Sequence, residues 1–318
     1  MKNYIIVEIG SNFNQSKNLA FKMIKIAKNC GANAVKFQLF NAKKLYPNNH
    51  KMYKIFKSVE LNSSWIKDLK KYSDKVKIDF ICSAFDLESA KIVNKYVDTH
   101  KVASSEATNI NLLKYLVKTK KKILFSTGMC DQIDINNFLK IVKKYKNNNI
   151  VLMQNGAIYP LPLAKTNLNV LNSFKKFKYD IGFSDHTLGY EAAMCASALG
   201  STYFEKHFTL NKKSKGPDHF FASEPKDLKK YIIKINLAKK MLGSKVKEML
   251  PEEKKYGRRN GLYYAKNILK GTKLTKNMLQ IKQPALGMRA RDIKQILGKK
   301  LKINAIKNNY VLKTHIKK

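Results

Sequence analysis

Short apolar runs alternate with longer amphipathic stretches from residue 4 to about residue 242. The runs are rich in β-branched side chains and are too short for helices, so we predict that each is a buried strand. The eight runs are Tyr4–Ile9, Ala34–Leu39, Ile78–Cys82, Lys101–Ala103, Ile123–Ser126, Ile150–Met153, Asp180–Phe183 and Thr202–Glu205.

The amphipathic stretches between these runs predict helices. In the last of them Leu228, Tyr231 and Ile232 recur at helical spacing, and Asp86 and Asn109 stand where two other helices need N-caps. Repeated strand–helix units predict an α/β fold, a (β/α)8 TIM barrel. A doubly wound open sheet is the alternative, although no GxGxxG motif follows the first strand. The helical stretches include Ser16–Cys30, Leu87–Tyr96, Asn109–Thr119, Asp134–Tyr145, Tyr190–Leu199 and Pro225–Leu242.

A change of pattern near residue 243 predicts a second domain. Residues 244–258 are charged, include Pro251 and are interpreted as a linker. Residues 259–318 contain short irregular strands separated by turns at Gly271, Pro284 and Gly287. We therefore expect a barrel domain over residues 1–243 and a small module over residues 259–318 that leans on a partner surface, because so short a chain buries little core.

Lysine dominates the charge of the chain. Lys and Arg number 63 against 22 Asp and Glu, and a net charge of +41 suggests a nucleic-acid-binding protein. However, only four of the basic residues are arginines, the usual readers of bases and phosphates, and the lysines are spread over the whole chain. We interpret the excess as the codon bias of an AT-rich genome and keep nucleic-acid binding as a distant alternative.

The cysteines and the N-terminal residues indicate the cellular compartment of the protein. Four widely spaced cysteines without a CxxC pair indicate neither a disulfide framework nor a thiolate zinc site. No apolar run is long enough to cross a membrane, and Glu8 comes too early for a signal peptide. We expect a cytoplasmic protein that binds no membrane.

Polar residues gather where the predicted strands end, which is where TIM barrels place their chemistry. Lys36 and Lys101 lie on strands that otherwise look buried, and a buried ammonium group needs an anion. Nearby serines would complete a pocket for phosphate or carboxylate; alternatively, each lysine extends to the rim. The polar residues at strand ends are Glu8, Lys36, Gln38, Ser83, Lys101, Ser104, Glu106, Ser126, Thr127, Tyr159, Ser184, Asp185, His186, Glu205, Lys206 and His207.

Two of the six histidines suggest a metal site. His186 and His207 close the seventh and eighth strands, which are neighbours in a barrel, so they could bind a divalent ion such as Mn²⁺ or Mg²⁺ together with oxygen ligands. Hydrogen-bonded core histidines are the alternative. Asp218 is either an acceptor for a substrate hydroxyl or a turn residue. For the histidines without informative neighbours we expect surface or loop positions: His50, His100 and His315.

Several segments closely resemble the sialic acid (N-acetylneuraminate) synthase family. They include IVEIG at 6–10, AVKFQ at 34–38 and STGM at 126–129, followed by SDHTLG at 184–189, EKHFTL at 205–210 and GPDH at 216–219. The tail from Arg258 to LGKK at 297–300 resembles the antifreeze-like (SAF) domain of that family. The resemblance covers essentially the whole chain.

The resemblance implies that phosphoenolpyruvate condenses with an N-acetylmannosamine-type sugar to give phosphate and a nine-carbon sugar acid, sialic or legionaminic acid. It implies a metal at His186 and His207, Mn²⁺ before Mg²⁺ or Co²⁺, and a domain-swapped homodimer whose SAF domain caps the partner's barrel. It also implies residue roles. Phosphoenolpyruvate would be bound by Lys36, Lys101, Ser104, Ser126 and Ser184. The sugar would be bound by Gln38, Tyr159, Asp218 and Gln283, with Arg289 or Arg291 substituting for the arginine that the family commonly has in place of Gln283. Protons would be moved by Glu8, Glu106 or Asp218.

Some positions depart from the family pattern. Ala84 stands in a segment that usually reads Ser-Thr-Pro-Phe, Ala157 in one that usually reads His-Cys-Thr-Ser, and Gln283 where arginine is common. The anion-binding and metal-binding residues are kept, so the changes bear on the sugar. The alternative is therefore a divergent member that uses a different acetamido sugar or has weakened activity.

Overall fold

The computed structural model describes residues 3–317, apart from the side chains of residues 255 and 256. The chain forms two compact units, Met1–Gly243 and Ser244–Lys318. Within residues 3–317, no helix combines the length and the apolar composition that a membrane crossing needs.

Eight parallel strands close into a barrel in chain order, with the first strand paired to the eighth. Every predicted strand overlaps an observed one, so the predicted TIM barrel is confirmed. The strands are β1 Tyr4–Gly10, β2 Ala34–Leu39, β3 Asp79–Ala84, β4 Thr99–Val102, β5 Lys122–Ser126, β6 Ile150–Gln154, β7 Asp180–Asp185 and β8 Tyr203–His207.

Helices follow the strands and cover the outside of the barrel. Asp86 and Asn109 accept hydrogen bonds from the backbone N–H groups of Ser89 and Leu112, as expected of N-caps. The helices of the first unit are α1 Lys17–Asn29, α2 Ala42–Leu45, α3 Lys51–Ser58, α4 Ile66–Lys75, α5 Leu87–Asn94, α6 Ile110–Lys118, α7 Gln132–Lys144, α8 Val170–Phe174, α9 Glu191–Ala198 and α10 Pro225–Met241.

The barrel interior is layered, and the layers explain where the site lies. A buried apolar layer fills the amino-terminal half. Because side chains on a strand alternate between its two faces, the inward residue two positions further on lies in the next layer toward the carboxyl ends. In β1, β2, β3 and β5 this step leads from an apolar to a polar residue. The pairs are Ile6 and Glu8, Ala34 and Lys36, Ile81 and Ser83, and Leu124 and Ser126.

His100 does not lie where the sequence predicted. We expected it at the surface or in a loop, but it is buried in β4, and its Nε2 lies 3.1 Å from Asn94 Oδ1 in α5. The expectation was wrong because β4 starts two residues before the apolar run that predicted it.

The second unit contains α11 Pro251–Tyr256 and an antiparallel pair, β9 Gly261–Tyr264 with β10 Leu279–Lys282. It has its own apolar cluster, which includes Leu262, Leu301 and Val311. The backbone approaches so closely at Gly287 that a Cβ there would lie 2.2 Å from Val311 O, so glycine is required.

Candidate active site

The polar layer of the barrel holds two buried lysines in a network of ion pairs. Lys36 Nζ lies 2.6 Å from Glu8 Oε2 and 3.6 Å from Glu205 Oε1, and it donates to Ser83 Oγ at 3.2 Å. Lys101 Nζ donates to Ser126 Oγ at 2.7 Å and also lies 3.6 Å from Glu205 Oε1. Neither lysine extends to the rim, because both side chains are about 4% exposed.

Glu205 links the two lysines, although no role was predicted for it from the sequence. Its Oε1 also accepts a hydrogen bond from Ser184 Oγ at 3.1 Å. Its Oε2 is buried and has no hydrogen-bond partner among residues 3–317. One signal could have found it: Glu205 lies two positions before His207 on β8, so both side chains share the inward face.

Burial and neighbouring charges shift the pKa values of the two lysines and the two glutamates in different directions. Burial alone would lower the pKa of Lys36, but Glu205 and Glu8 outweigh it and raise that pKa. Burial lowers the pKa of Lys101, because Glu205 compensates only partly. Burial raises the pKa of Glu8, whereas Lys101 and Lys36 overcome the effect of burial at Glu205 and lower its pKa. Glu205 is therefore the ionised partner of the two lysines.

The two histidines face each other across the ends of β7 and β8, with ring centroids 5.4 Å apart. His186 Nδ1 donates to the carbonyl oxygen of Gly156 at 2.5 Å, which leaves its Nε2 lone pair available. The nearest acid is Asp218, whose Oδ2 lies 3.7 Å from His207 Nδ1. Burial lowers the pKa of His186 to about 4 and also lowers the pKa of His207, so both imidazoles are neutral at pH 7.

Neutral imidazoles with available nitrogens fit a metal. His207 Nδ1 is buried without a hydrogen-bond partner among the described residues. The part of the chain that the structure describes contains no group of three or more His, Cys, Asp or Glu side chains arranged to hold a metal ion. An ion at His186 and His207 would therefore complete its coordination with water and substrate oxygens.

A cavity of about 610 Å³ brings these groups together. Its size is that of a small-molecule site, and helix α3 adds apolar side chains such as Met52 and Phe56 to its wall. All the candidate site residues of the barrel line it: Glu8, Lys36, Gln38, Lys101, Ser104, Glu106, Ser126, Tyr159, Ser184, His186, His207 and Asp218.

The cavity wall also contains polar residues for which no role was predicted. Among them are Glu205, Ser83 and Asn155, whose Oδ1 accepts a hydrogen bond from the Thr127 backbone N–H at 3.1 Å. Two predicted sugar contacts, Gln283 and Arg289, lie in the second unit. Gln283 Nε2 donates to Asn260 Oδ1 at 3.1 Å, and the role of both residues stays a prediction.

Comparison with known proteins identifies the family. The model of the NeuB family matches residues 23–247, and the model of the SAF domain matches residues 259–317. The chain belongs to the NeuB family. The family and the SAF tail that the sequence motifs predicted are thereby confirmed.

Relatives of this NeuB-family chain include sugar acid synthases. It is 36% identical to the N,N'-diacetyllegionaminic acid synthase of Campylobacter jejuni, over 94% of this chain and 95% of the relative. It is 31% identical to the N-acetylneuraminate-9-phosphate synthase of Homo sapiens, over 97% and 91%. A crystal structure of N-acetylneuraminic acid synthetase from Leptospira borgpetersenii, in complex with citrate, matches with a TM-score of 0.76 at 29% identity, over 80% of this chain and 90% of that one.

Proposed function

We propose that this NeuB-family chain is a phosphoenolpyruvate-dependent nonulosonic acid synthase. It condenses phosphoenolpyruvate with an N-acetylmannosamine-type sugar to give a nine-carbon sugar acid and phosphate. The observation that carries the proposal is the convergence of two buried ammonium groups, Lys36 and Lys101, on Glu205 Oε1 in the cavity that His186 and His207 also line. The relatives named for legionaminic and sialic acid synthesis support it.

The buried lysines suit an enol phosphate. Phosphoenolpyruvate carries a phosphate and a carboxylate, and two ammonium groups neutralise and orient such a multiply charged anion. Because the protein already holds these groups in place, little reorganisation is needed when the substrate binds. We assign phosphoenolpyruvate binding to Lys36, Lys101, Ser104, Ser126 and Ser184.

The two imidazoles would hold a divalent cation at the mouth of the anion pocket. We propose Mn²⁺, with Mg²⁺ or Co²⁺ as alternatives, because an ion with two nitrogen ligands here keeps positions for water and substrate oxygens. When bound, the cation polarises the aldehyde oxygen of the open-chain sugar as a Lewis acid.

The reaction forms one C–C bond and breaks one C–O bond. C3 of phosphoenolpyruvate attacks the aldehyde carbon, and water adds to C2 and gives up one proton, which balances the proton taken by the aldehyde oxygen. The bond between C2 and the bridging oxygen then breaks and phosphate leaves with the electron pair. The hydroxyl on C2 loses its proton, which phosphate accepts, and C2 becomes a ketone. The aldehyde oxygen takes a proton, for which Glu8, Glu106 and Asp218 are the candidates. Burial raises the pKa of all three, that of Asp218 to about 6, so each holds a proton more readily than an exposed carboxyl group.

In the proposed homodimer, the sugar would contact the barrel domain of one chain and the SAF domain of its partner. We assign Gln38, Tyr159 and Asp218 of the barrel domain (residues 1–243) and Gln283 and Arg289 of the SAF domain (residues 259–318) to it. The family resemblance supports a homodimer in which each SAF domain caps the partner's barrel, with residues 244–258 as the linker. We place the reaction in the cytoplasm, as the unpaired cysteines suggest.

Phosphate release tests the proposal. The full-length protein is incubated with phosphoenolpyruvate, Mn²⁺ and a panel of six-carbon acetamido sugars that includes N-acetylmannosamine and a diacetamido analogue. We expect phosphate release that depends on the sugar, and a nine-carbon acid detectable by mass spectrometry. If folded protein releases no phosphate with any acetamido sugar, the proposal is wrong. Turnover with a sugar outside the sialic and legionaminic series would support the divergent alternative.

A further inference from the structure

A second buried ion pair lies directly behind the two histidines. Asp185 and Lys206 are the last paired residues of the β7–β8 ladder, and each is followed by one of the histidines. Because side chains alternate along a strand, His186 and His207 point into the cavity while Asp185 and Lys206 point outward. The outward direction is visible in α10, where the Tyr231 ring centroid lies 5.0 Å from Lys206 Nζ.

The pair ties both strand ends together. Lys206 Nζ lies 3.0 Å from Asp185 Oδ2 and donates to the carbonyl oxygen of Thr187 at 2.6 Å. Asp185 Oδ1 accepts hydrogen bonds from the backbone N–H and the hydroxyl of Thr187, at 2.8 and 2.7 Å. The residues on both sides of His186 are therefore bonded to Lys206, the residue before His207.

Stability alone is a poor reason for this arrangement. The Lys206 and Asp185 side chains are 3% and 0% exposed, and the free-energy cost of desolvating two charges is often as large as the attraction between them. Apolar residues of similar volume would stabilise such a position at least as well. A buried pair does, however, fix geometry, because leaving either charge unpaired is strongly unfavourable.

The separation of the two imidazoles depends on how the ends of β7 and β8 are held relative to each other. His186 is held by its hydrogen bond to Gly156 O, but His207 makes no hydrogen bond through Nδ1 to any described residue. The position of the His207 ring is set by the end of β8 and by packing against Tyr159 and Phe221, with centroids at 5.8 and 5.0 Å. A shift of β8 against β7 would change the separation of the two rings directly.

We propose that Asp185 and Lys206 are positioning residues whose ion pair sets the separation of the His186 and His207 imidazoles, and with it the affinity for a divalent cation. The inference rests on the proposed function, because it takes the imidazoles as the metal ligands. Outer partners of metal ligands contribute about 10–100-fold to metal affinity, and we expect an effect in that range.

Mn²⁺ binding by the full-length protein, stripped of metal with a chelator, tests the proposal. The dissociation constant is measured from the electron paramagnetic resonance signal of free Mn²⁺, for the wild type, Asp185→Asn, Lys206→Met and the double variant. The neutral double variant leaves no unpaired charge, so it should keep a thermal midpoint close to wild type and still bind Mn²⁺ about 10-fold or more weakly. The visible spectrum of bound Co²⁺ should change as well, which a purely structural role would not produce.

The chain offers a matched control. Lys212 and Asp227 form an ion pair with the same 3.0 Å separation, but their side chains are 39% and 52% exposed. Lys212→Met with Asp227→Asn should leave the Mn²⁺ dissociation constant unchanged. A folded Asp185→Asn/Lys206→Met variant with wild-type Mn²⁺ affinity and an unaltered Co²⁺ spectrum would overturn the inference.

The proposed function can fail separately. If the wild type binds Mn²⁺ and condenses phosphoenolpyruvate with a sugar while the double variant binds Mn²⁺ equally well, the positioning role alone is wrong. If the wild type neither binds Mn²⁺ nor turns over, the proposed function is wrong and the positioning role is lost with it. If the double variant does not fold, each single variant is measured at the temperature where it is folded, and wild-type affinity in both rejects the role.

Discussion

Lys101 and Lys36 share a buried layer, but their ammonium groups have different neighbours. Glu8 and Glu205 both compensate Lys36, whereas Lys101 has Glu205 and a serine hydroxyl. The charge of Lys101 is therefore the less fully compensated of the two. An anionic substrate would add to that compensation, so Lys101 should contribute strongly to phosphoenolpyruvate binding.

Replacing Lys101 tests that role. Lys101→Met keeps most of the volume and removes the charge, and we expect KM for phosphoenolpyruvate to rise about 10–100-fold, as the loss of a charged hydrogen bond predicts. Steady-state kinetics at saturating sugar measures this. Lys122→Met is the control, because Lys122 begins β5 at the opposite end of the barrel and donates to Tyr203 OH at 2.5 Å. If Lys101→Met and Lys122→Met had equal KM values for phosphoenolpyruvate, the assignment of Lys101 to phosphoenolpyruvate binding would be wrong.

The position of a site residue could be predicted where the strand that bears it could be predicted. The lysines and histidines stood out because charged groups on apolar strands need partners. Glu205 was visible at a strand end, but its role depends on Lys36 and Lys101, which lie on β2 and β4 and meet it only when the barrel closes. No pattern within one strand reports a contact across a barrel.

At the scale of elements, the strands were more predictable than the helices. The eight runs of the barrel are short, apolar and regularly spaced, which is what buried parallel strands require. Three helices between β2 and β3 were not individually predicted: α2 and α3, which are short and largely exposed, and α4. α3 has an apolar stripe, Met52, Ile55 and Phe56, but the helix is only eight residues long and none of its residues is fully buried, because the stripe lines the cavity instead of packing into the core.

The buried contact between His100 of β4 and Asn94 of α5 predicts that the stability of the protein depends on pH. Burial lowers the pKa of His100 from its ordinary value of 6.5 to about 4. Between these values the unfolded chain binds a proton that the folded chain does not, so the free energy of unfolding falls as the pH falls, by about 1.4 kcal/mol per pH unit. His100→Gln, which can still bond Asn94, should lose about 2 kcal/mol less than wild type between pH 7 and pH 5. Urea unfolding at the two pH values measures this, and equal losses would contradict it.

At the scale of the whole molecule, the SAF domain is expected to serve the sugar rather than phosphoenolpyruvate. Its residues Gln283 and Arg289 were assigned from the family resemblance, and Gln283 stands where the family commonly has arginine. The sequence predicted that the tail is a separate small module. The surface that we propose it caps belongs to another chain, so no pattern within the tail specifies it.

Substitutions in the SAF domain test whether it contributes to sugar binding and not to phosphoenolpyruvate binding. Arg289→Ala and Gln283→Ala should raise KM for the sugar, about 10-fold or more for the loss of the charged hydrogen-bond donor, and leave KM for phosphoenolpyruvate unchanged. Lys270→Ala, at an exposed position of the same unit, is the control. Initial-rate measurements with each substrate varied in turn give both constants. A rise in KM for phosphoenolpyruvate alone would contradict the assignment.

In the proposed reaction, a C–C bond forms in the barrel cavity and the bond between C2 and the bridging oxygen of phosphoenolpyruvate breaks. The most direct test uses phosphoenolpyruvate with ¹⁸O in the oxygen that bridges C2 and phosphorus, incubated with the protein, Mn²⁺ and an acetamido sugar. We expect the label to leave with inorganic phosphate, seen as a mass increase, in step with the nine-carbon acid. Phosphate without the label would show that the P–O bond was broken instead, and the proposed reaction would be wrong.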